Sequence, residues 1–410
     1  MQAMDLVCLG YNPWSAMWKR NQTLVAGLSR QAWIRRVLFL NPEVWVGALL
    51  RSPGRHLSGF GRSYWRGSLR PFRAGPKTDV YTVCHWPFAG WSPRIGGVQR
   101  RVVERVVAPY TAHPYVLLVN RPADPGSPLV ARLFDGAHLA VFDWSDDFEE
   151  FARGEAERTE VRRRCEFFLS SSDLVLAVNA RLARRALAFQ PSVRLLRNAT
   201  HYEVLARAAE PGAAVAPSMR RIPRPVIGYV GWLNDARLDH GLLEAVAQAR
   251  PSVSLVFLGP RSSARPLGDR LPRARNVHVL PPVPYEALPG YLAAFDVCML
   301  PNRLNAHTDG NDPLKLYDYL ATGKPIVATR TAGTEGLEEV VRLADDGAGF
   351  VEAVDAALGE RSDALRARRQ ELAREHSWEA RVREVAAAVG AMLGTADRVP
   401  EATAAAPLPG

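Results

Sequence analysis

Long apolar runs, paired cysteines and a leader-like start are all missing from the sequence. No stretch approaches the roughly 18 uncharged apolar residues of a transmembrane helix, so we predict no membrane-spanning helix. Residues 1–14 lack a basic segment followed by an apolar one, and we expect no standard secretion signal. The four cysteines are scattered and form no CxxC pair. This spacing predicts neither a disulfide framework nor a zinc site, and it fits a reducing cytoplasm.

Acidic residues are scarce in the first quarter of the chain. Residues 1–105 carry 16 Lys and Arg against 4 Asp and Glu, a balance of +12. Residues 106–410 carry 36 basic and 38 acidic residues, a balance of −2. All the excess positive charge therefore belongs to the N-terminal region, which favours an anionic partner for that region.

The remaining composition is that of a folded protein with more than one domain. Apolar residues make up 47% and charged residues 23% of the 410 residues, a globular profile long enough for two or three domains. Short apolar runs alternate with helical stretches, which predicts βαβ units around parallel sheets. The apolar runs form two series, 5–9, 36–40, 115–120, 139–142, 174–177 and 193–196, then 226–230, 254–258, 277–280, 297–300 and 325–328.

The two series predict two Rossmann-like domains in tandem. We expect an N-terminal domain over 1–205 and a C-terminal domain over 226–375, joined by an Ala-, Pro- and Arg-rich linker over 206–225. A final helix over 376–394 and a disordered tail over 395–410 complete the chain. Since ligands of such sheets bind at the carboxyl ends of the strands, we expect the active site in the cleft between the domains.

Residues 311–329 carry the most informative pattern. Pro313 can open a helix and Gly323 can end it. Lys315 and Asp318 then share a polar stripe. A helix N-terminus with a nearby lysine suits a diphosphate, and a carboxylate one turn later suits the two hydroxyls of a ribose. A crossover helix with an ordinary surface Lys–Asp pair is the alternative.

The same segment resembles the signature helix of the large retaining family of GT-B glycosyltransferases. It is closer still to a family 1/4-like branch of teichuronic-acid and exopolysaccharide assembly, with the pattern Pro-x-Lys-Leu-(Tyr/Phe)-Glu-Tyr-Leu-Ala-x-Gly-Lys-Pro. The resemblance implies that Asp318 stands for the family's second glutamate and holds the donor ribose. The first glutamate falls on Gly310, so the choice between retention and inversion stays open. Asn311 beside it is a further candidate for donor binding.

Other segments resemble the same family in the same order. Residues 228–233 resemble its glycine loop, where Gly231 lets backbone N–H groups approach a phosphate, although a tight turn is the alternative. Residues 276–301 resemble the nucleobase-binding segment, and Trp378 matches the final helix. The resemblance implies an α/β GT-B fold, with two Rossmann-like domains facing a central cleft and a C-terminal helix crossing back to the first domain. It also implies that the domain over 1–205 binds the acceptor and that the domain over 226–375 binds the nucleotide sugar.

Two acids and one helix of the first domain are candidates for work on the acceptor. Asp146 and Asp147 follow the predicted strand 139–142, and one of them would be the catalytic base of an inverting enzyme. In a retaining enzyme the pair would only orient the acceptor, and a plain acidic helix start is the alternative. Trp18 and Arg20 match a Trp-x-Arg-x-Gln segment of the branch on a helix facing the cleft, where an ordinary surface turn is the alternative.

The stretch 44–78 has seven Lys or Arg, no acid and several aromatic residues. Such a mixture can meet a nucleic acid or an anionic membrane surface, and the sequence has no RRM, KH or zinc-finger pattern. We therefore expect a membrane and acceptor surface and no nucleic acid, with a solvated basic loop as the alternative. The residues that we assign to this surface are Arg51, Arg55, Arg62 and Arg66.

Together these patterns predict a glycosyltransferase at the inner face of the plasma membrane. It would move a sugar from a UDP- or GDP-sugar to a hydroxyl of a lipid-linked or oligosaccharide acceptor in cell-surface polysaccharide synthesis. We expect a cytoplasmic, peripheral protein with no cofactor and no metal. A catalytically inactive GT-B homologue acting as a scaffold and a GT-B-fold sugar-nucleotide epimerase are the alternatives.

Overall fold

The computed structural model describes residues 3–15, 19–47, 61–68, 70–86, 92–233, 237–260, 274–305, 308 and 310–394. The chain divides into two compact units, Met1–Leu196 with Val382–Gly410, and Arg197–Arg381. Each unit has its own sheet and its own buried apolar core. The predicted α/β class is therefore confirmed.

The first unit is built on a sheet whose strands are parallel except for the antiparallel pair at one edge. Its strands are β1 Met4–Leu9, β2 Ile34–Trp45, β3 Phe72–Arg73, β4 Thr78–His85, β5 Tyr115–Val119, β6 Leu139–Trp144, β7 Leu174–Ala177 and β8 Val193–Leu195. Its described helices are Arg20–Leu28, Gly61–Trp65, Pro93–Thr111, Pro128–Asp135, Glu155–Ser171 and Ala180–Leu187, with a 3-10 turn at Phe148–Phe151.

The strand order of this sheet, β3-β4-β2-β1-β5-β6-β7-β8, reverses at β1. Leu9 at the end of β1 pairs in register with Leu40 of β2 on one side and with Val119 of β5 on the other. Every residue of β1 and β5 is buried, because helices cover both faces of the parallel sheet. The carboxyl ends of β1 and β5 thus meet at the point where ligands bind in such sheets.

The second unit is built on a fully parallel sheet in the order β11-β10-β9-β12-β13-β14. Its strands are β9 Val226–Val230, β10 Ser254–Leu258, β11 Val277–Leu280, β12 Val297–Leu300, β13 Ile326–Thr329 and β14 Arg342–Ala344. Its described helices are Tyr202–Leu205, His240–Ala249, Leu288–Leu292, Leu314–Thr322, Gly347–Leu358 and Asp363–Glu375. The order reverses between β9 and β12, which marks the ligand-binding edge of this unit.

The segment 206–225, predicted as a linker, has regular structure of its own. It contains 3-10 turns at Ala206–Ala209 and Met219–Arg221, and Ala208 and Met219 are buried in the core of the second unit. The division of the chain falls before this segment, between Leu196 and Arg197. Its few apolar side chains are enough to anchor it, although its composition lacks the periodicity of a helix or strand.

The final helix, Trp378–Met392, belongs to both units. Its first turn is grouped with the second unit and residues from Val382 onward with the first. A Cβ added at Gly27 would lie 2.3 Å from a methyl carbon of Val382, so this helix packs closely on Arg20–Leu28. Within the described ranges, no helix combines the length and the apolar character needed to span a bilayer.

Candidate functional site

Two glycines form a tight cradle at the ligand-binding edge of the second sheet. Gly231 follows β9 and Gly259 follows β10, each with a φ of 152°. A Cβ added at Gly259 would lie 2.0 Å from the carbonyl oxygen of Gly231, and one added at Gly231 would lie 1.9 Å from Cε of Lys315. Any larger residue would therefore displace backbone or the lysine, and the cradle leaves backbone close enough to meet a phosphate.

The helix Leu314–Thr322 begins after Pro313 and ends at Gly323, which has the left-handed φ of 67°. These are the start and the stop that the sequence predicts. The hydroxyl of Tyr319 accepts a hydrogen bond from the backbone N–H of Val230 at 2.7 Å, which holds the helix against the end of β9. The start of the helix, which carries a partial positive charge, and the Lys315 side chain therefore both lie near the loop of Gly231.

Asp318 is held by hydrogen bonds on one oxygen only. Its Oδ1 accepts from the Thr200 hydroxyl at 2.7 Å and from the Tyr285 hydroxyl at 2.9 Å. Its Oδ2 accepts no hydrogen bond from the residues that the structure describes. Burial raises the pKa of Asp318 to about 6, against the opposing effect of the two hydroxyls and of the Lys315 charge. The carboxylate is thus oriented by protein groups through one oxygen, and its predicted role toward the donor ribose stays a prediction.

Asp312, which sequence reasoning left unassigned, fixes the loop before this helix. Its Oδ1 accepts from the Tyr317 hydroxyl at 2.7 Å, and its Oδ2 and carbonyl oxygen accept from the backbone and side chain of Asn198. Asn311, a predicted donor-binding residue, is half-buried in the same loop, and its backbone N–H reaches the Thr308 carbonyl at 3.4 Å. Gly310 is buried where the resemblance places a glutamate. Sequence spacing shows that Asp312 precedes a helix but cannot show that Asn198 lies opposite.

In the first unit, Arg20 is buried and pairs with an acid near the end of β6. Its Nη2 donates to Oδ1 of Asp143 at 2.7 Å, and the two side chains are 8% and 0% exposed. Asn120 donates to the other oxygen of Asp143 at 2.8 Å. A fully buried carboxylate at the end of β6 needs a cation, and a role of Arg20 toward the acceptor stays a prediction. The pattern around residue 20 gives no sign of a partner 123 residues away.

The predicted catalytic acids lie where expected, directly after β6. Asp147 is 3% exposed, and its Oδ2 accepts from Arg181 at 2.6 Å and lies 3.5 Å from Arg185. Arg185 also bonds Glu149 at 2.6 Å, so these acids belong to an arginine network. Asp146 is half-buried. A catalytic role for either residue stays a prediction, and for Asp147 one carboxylate oxygen is already engaged.

A further polar group at this edge of the first sheet was not predicted. His85 ends β4, and its Nε2 lies 2.6 Å from Oε2 of Glu43 in β2. Arg121, two residues after β5, approaches Oε1 of Glu43 at 3.5 Å. The hydrogen bond with Glu43 raises the pKa of His85, against burial and the Arg121 charge. Two features of the sequence could have pointed to these residues: Glu43 is one of only four acids in residues 1–105, and His85 ends an apolar run.

The remaining predicted surface residues are divided between described and undescribed parts of the chain. Arg62 and Arg66 are exposed, and the Arg66 guanidinium stacks over the Phe72 ring at 4.1 Å. Trp18, Arg51 and Arg55 lie outside the described residues. A search of the described residues finds no group of three or more His, Cys, Asp or Glu side chains able to hold a metal ion.

Residues 224–360 match the family described as Glycosyl transferases group 1. The chain is 24% identical over 282 residues to TuaH of Bacillus subtilis (strain 168), which is assigned to teichuronic acid biosynthesis as a glycosyltransferase; the match spans 64% of this chain and 69% of TuaH. The family match over residues 224–360 covers the glycine cradle and the helix with Lys315 and Asp318.

Solved structures show the fold over almost the whole chain. Anabaena Alr3699/HepE in complex with UDP is 13% identical, with 95% of this chain and 100% of that chain covered at a TM-score of 0.63. Sucrose-phosphate synthase from Thermosynechococcus elongatus is 15% identical, with 96% and 100% covered at a TM-score of 0.65. These similarities show a GT-B fold, and the family match over residues 224–360 together with the likeness to TuaH supports glycosyltransferase activity.

Proposed function

We propose that the protein transfers a sugar from a UDP- or GDP-sugar to a hydroxyl of a lipid-linked or oligosaccharide acceptor in cell-surface polysaccharide assembly. The observation that carries this proposal is the cradle of Gly231 and Gly259 with Lys315 above it and Asp318 beside it. HepE structures hold UDP and UDP-glucose, and TuaH is assigned to teichuronic acid biosynthesis, which supports the donor and the acceptor class respectively.

The donor would bind along the carboxyl edge of β9. Its diphosphate would meet the backbone at Gly231 and Gly259, the ammonium group of Lys315 and the N-terminus of the helix Leu314–Thr322. Its ribose would donate a hydroxyl hydrogen bond to Oδ2 of Asp318, whose Oδ1 is already occupied.

This arrangement stabilises the charge that develops on the leaving group. In transfer, the bond between the anomeric carbon and the phosphate oxygen breaks, and the electron pair leaves with the nucleoside diphosphate. In this proposal Lys315 and the helix N-terminus meet that negative charge, and charged groups already in position lower the barrier without rearrangement. We propose that these groups supply the positive charge and that the enzyme uses no cofactor and no divalent metal.

The acceptor side of the proposal rests on charge. Residues 1–105 carry the whole positive excess of the chain, and Arg62 and Arg66 are exposed. An anionic surface attracts such a region at roughly 1 kcal/mol per basic residue near it. We therefore propose that the protein works as a peripheral protein at the inner face of the plasma membrane, where lipid-linked acceptors are presented.

Substitution of Lys315 tests the donor site. We expect Lys315→Ala to weaken UDP binding by about 10- to 100-fold, because a charge-assisted contact contributes roughly 1.5–3 kcal/mol. Calorimetric titration with UDP measures the affinity, and a screen of UDP- and GDP-sugars with octyl glycosides as acceptors measures transfer. Arg361→Ala, which removes an exposed cation from the same unit, should leave both unchanged. Tight UDP binding without turnover of any donor would contradict the transferase function.

A further inference from the structure

A threonine and a tyrosine from distant parts of the chain hold the carboxylate of Asp318. Thr200 lies in the loop after β8, and Tyr285 lies in the 3-10 turn before the helix Leu288–Leu292. Their hydroxyls donate to the same oxygen, Oδ1, at 2.7 and 2.9 Å. Two hydrogen bonds on one oxygen restrict the rotation of the carboxylate group, so they also set the direction of Oδ2.

Thr200 is itself held by the segment that begins the final helix. Its backbone N–H donates to the carbonyl of His376 at 2.9 Å, and its carbonyl accepts from the backbone N–H of Trp378 at 3.0 Å. These bonds make a parallel bridge between Thr200 and Ser377. Thr200 is 0% exposed, and a buried β-branched side chain on a fixed backbone has little rotational freedom.

The ring of Tyr285 depends on the same segment. The His201 ring meets it edge-on with 5.5 Å between the ring centroids, and the Trp378 ring lies 6.2 Å from His201 on the other side of this contact. These separations are those of favourable aromatic pairs, and Trp378 is 5% exposed. Trp378 therefore supports both hydroxyls, one through the backbone of Thr200 and one through the ring of His201.

The groups around Asp318 keep Tyr285 a donor and leave one charge in contact with the carboxylate. Burial, together with the Asp318 charge, raises the pKa of Tyr285 well above its usual range, so its hydroxyl stays protonated. Burial raises the pKa of Asp318 to about 6, whereas the two hydroxyls and the Lys315 charge lower it. Burial lowers the pKa of His201 to about 4, so its ring is neutral where Asp318 titrates.

We propose that Thr200 and Tyr285 position Asp318 to accept a hydrogen bond from the donor ribose at Oδ2. Trp378 holds both residues, through the backbone of one and through ring packing on the other. This inference rests on the proposed donor site and adds three residues that act on the donor through Asp318. All of them belong to the unit Arg197–Arg381.

The test measures donor affinity by calorimetric titration of the full chain. The probes are UDP-glucose and GDP-mannose, because their diphosphates, unlike that of UDP, have no terminal phosphate that titrates at about pH 6. At pH 7 we expect Thr200→Val and Tyr285→Phe each to lower the affinity for the probe that wild type binds by about 3- to 10-fold, as for the loss of one hydrogen bond. Thr200→Ser keeps the hydroxyl and should stay within about twofold of wild type.

Two control variants remove buried hydroxyls that do not contact Asp318. The Thr322 hydroxyl donates to the carbonyl of Tyr319 at 2.7 Å, at the far end of the same helix. The Tyr115 hydroxyl donates to the carbonyl of Leu133 at 2.7 Å in the other unit. Thr322→Val and Tyr115→Phe should both bind the probe as wild type does.

The pH dependence separates a positioning role from a purely structural one. An ionised carboxylate accepts a hydrogen bond better than a protonated one, so the wild-type affinity should rise as the pH passes upward through about 6. Both hydroxyls lower the pKa of Asp318, so Thr200→Val or Tyr285→Phe raises it and should move this rise to higher pH. Asp318→Asn should show no such rise.

Trp378 is tested in two backgrounds. Trp378→Leu should lower the affinity for the probe in the wild-type chain and change it by less than about twofold in Asp318→Asn, as expected of residues that act through one group. An equal loss in both backgrounds would show that Trp378 acts independently of Asp318, and would overturn its part in the inference.

The inference and the proposed function fail in different ways. If Asp318→Asn lost affinity while Thr200→Val and Tyr285→Phe bound as wild type, or showed an unshifted pH dependence, this inference alone would be wrong. Wild-type affinity in Asp318→Asn, or a wild-type chain that binds neither probe, would contradict the proposed donor site and this inference with it. Unfolding midpoints identify a loss that comes from misfolding, and Tyr285→Phe, which keeps the ring, then decides.

Discussion

Asp318, which we propose binds the donor ribose, lowers the stability of the folded protein when it is charged. Burial raises the pKa of Asp318 to about 6, whereas the pKa of an aspartate in an unfolded chain is about 4. The folded state therefore holds the proton more tightly than the unfolded state does. The stability that Asp318 contributes is fully present below about pH 4 and is lost as the pH rises through about 6.

Asp318→Asn should make the protein more stable and the donor site weaker. At pH 8 we expect the free energy of unfolding to increase by about 2 kcal/mol, because a half-buried charge is removed, and at pH 4 we expect little change. Affinity for a UDP-sugar should fall about tenfold, since the amide offers its ribose a weaker acceptor. Urea unfolding at both pH values and calorimetric titration measure the two effects.

Asp345→Asn is the matched control, because the side chain of Asp345 is 69% exposed. It should change neither quantity at either pH. If Asp318→Asn left affinity unchanged while raising stability, the carboxylate would be a buried structural group and the ribose would bind elsewhere.

For helices and strands, the sequence predicts features that depend on neighbouring residues, such as helix ends, but not the pairing of residues that are far apart in the chain. Pro313 and Gly323 fix the ends of the helix Leu314–Thr322 through their own backbone geometry, so its bounds are readable from the pattern. β2 instead runs past Pro42 to Trp45, because a bulge lets the strand continue beyond a residue without an N–H group. Register between strands is not encoded locally, and the pair of Glu43 and His85 depends on it.

The start of the helix Arg20–Leu28 is tied to β6 by the buried ion pair with Asp143, and removing one partner tests that link. We expect Arg20→Ala to lower the free energy of unfolding by about 3–5 kcal/mol, because Asp143 is 0% exposed and would keep an unpaired charge. The double variant Arg20→Met/Asp143→Leu should recover most of this loss. Urea unfolding of the full chain measures both.

Arg163→Ala provides the comparison, since its pair with Glu160 is exposed on the helix Glu155–Ser171 and should contribute little. Equal losses in Arg20→Ala and in the double variant would show that the contact of Arg20 with its neighbours matters more than its charge. Sequence spacing could not have identified this pair, because it joins the first helix to a strand that is 123 residues away.

For the whole molecule, charge and chemistry are divided between the two units. The residues proposed to bind the donor, Gly231, Lys315 and Asp318, belong to the unit Arg197–Arg381, while the basic stretch 44–78 belongs to the other unit. The imbalance of +12 against −2 was visible in the sequence before any fold was known. The sequence did not show which of these charges are exposed, because the number of charges does not reveal that some, like Arg20, are buried against an acid.

The exposed part of that charge should bind the protein to anionic lipid. We expect co-sedimentation with vesicles of phosphatidylglycerol, weakening as salt is raised, and little with phosphatidylcholine alone. Replacing the basic-stretch arginines by alanine should lower the bound fraction several-fold, since each contributes roughly 1 kcal/mol near the surface. The residues replaced are Arg51, Arg55, Arg62 and Arg66.

A second set of four substitutions replaces exposed arginines of the other unit and removes the same amount of charge. Comparing the two sets shows whether lipid binding depends on one surface or on net charge alone. These residues are Arg220, Arg221, Arg330 and Arg361. If both sets weakened binding equally, the attraction would follow total charge and no particular face. If neither did, the basic stretch would be a solvated segment. Only a loss of binding that is confined to the first set and leaves UDP affinity unchanged would place the lipid-facing surface on the unit that begins at Met1. Donor binding, which we propose for the other unit, would then continue undisturbed.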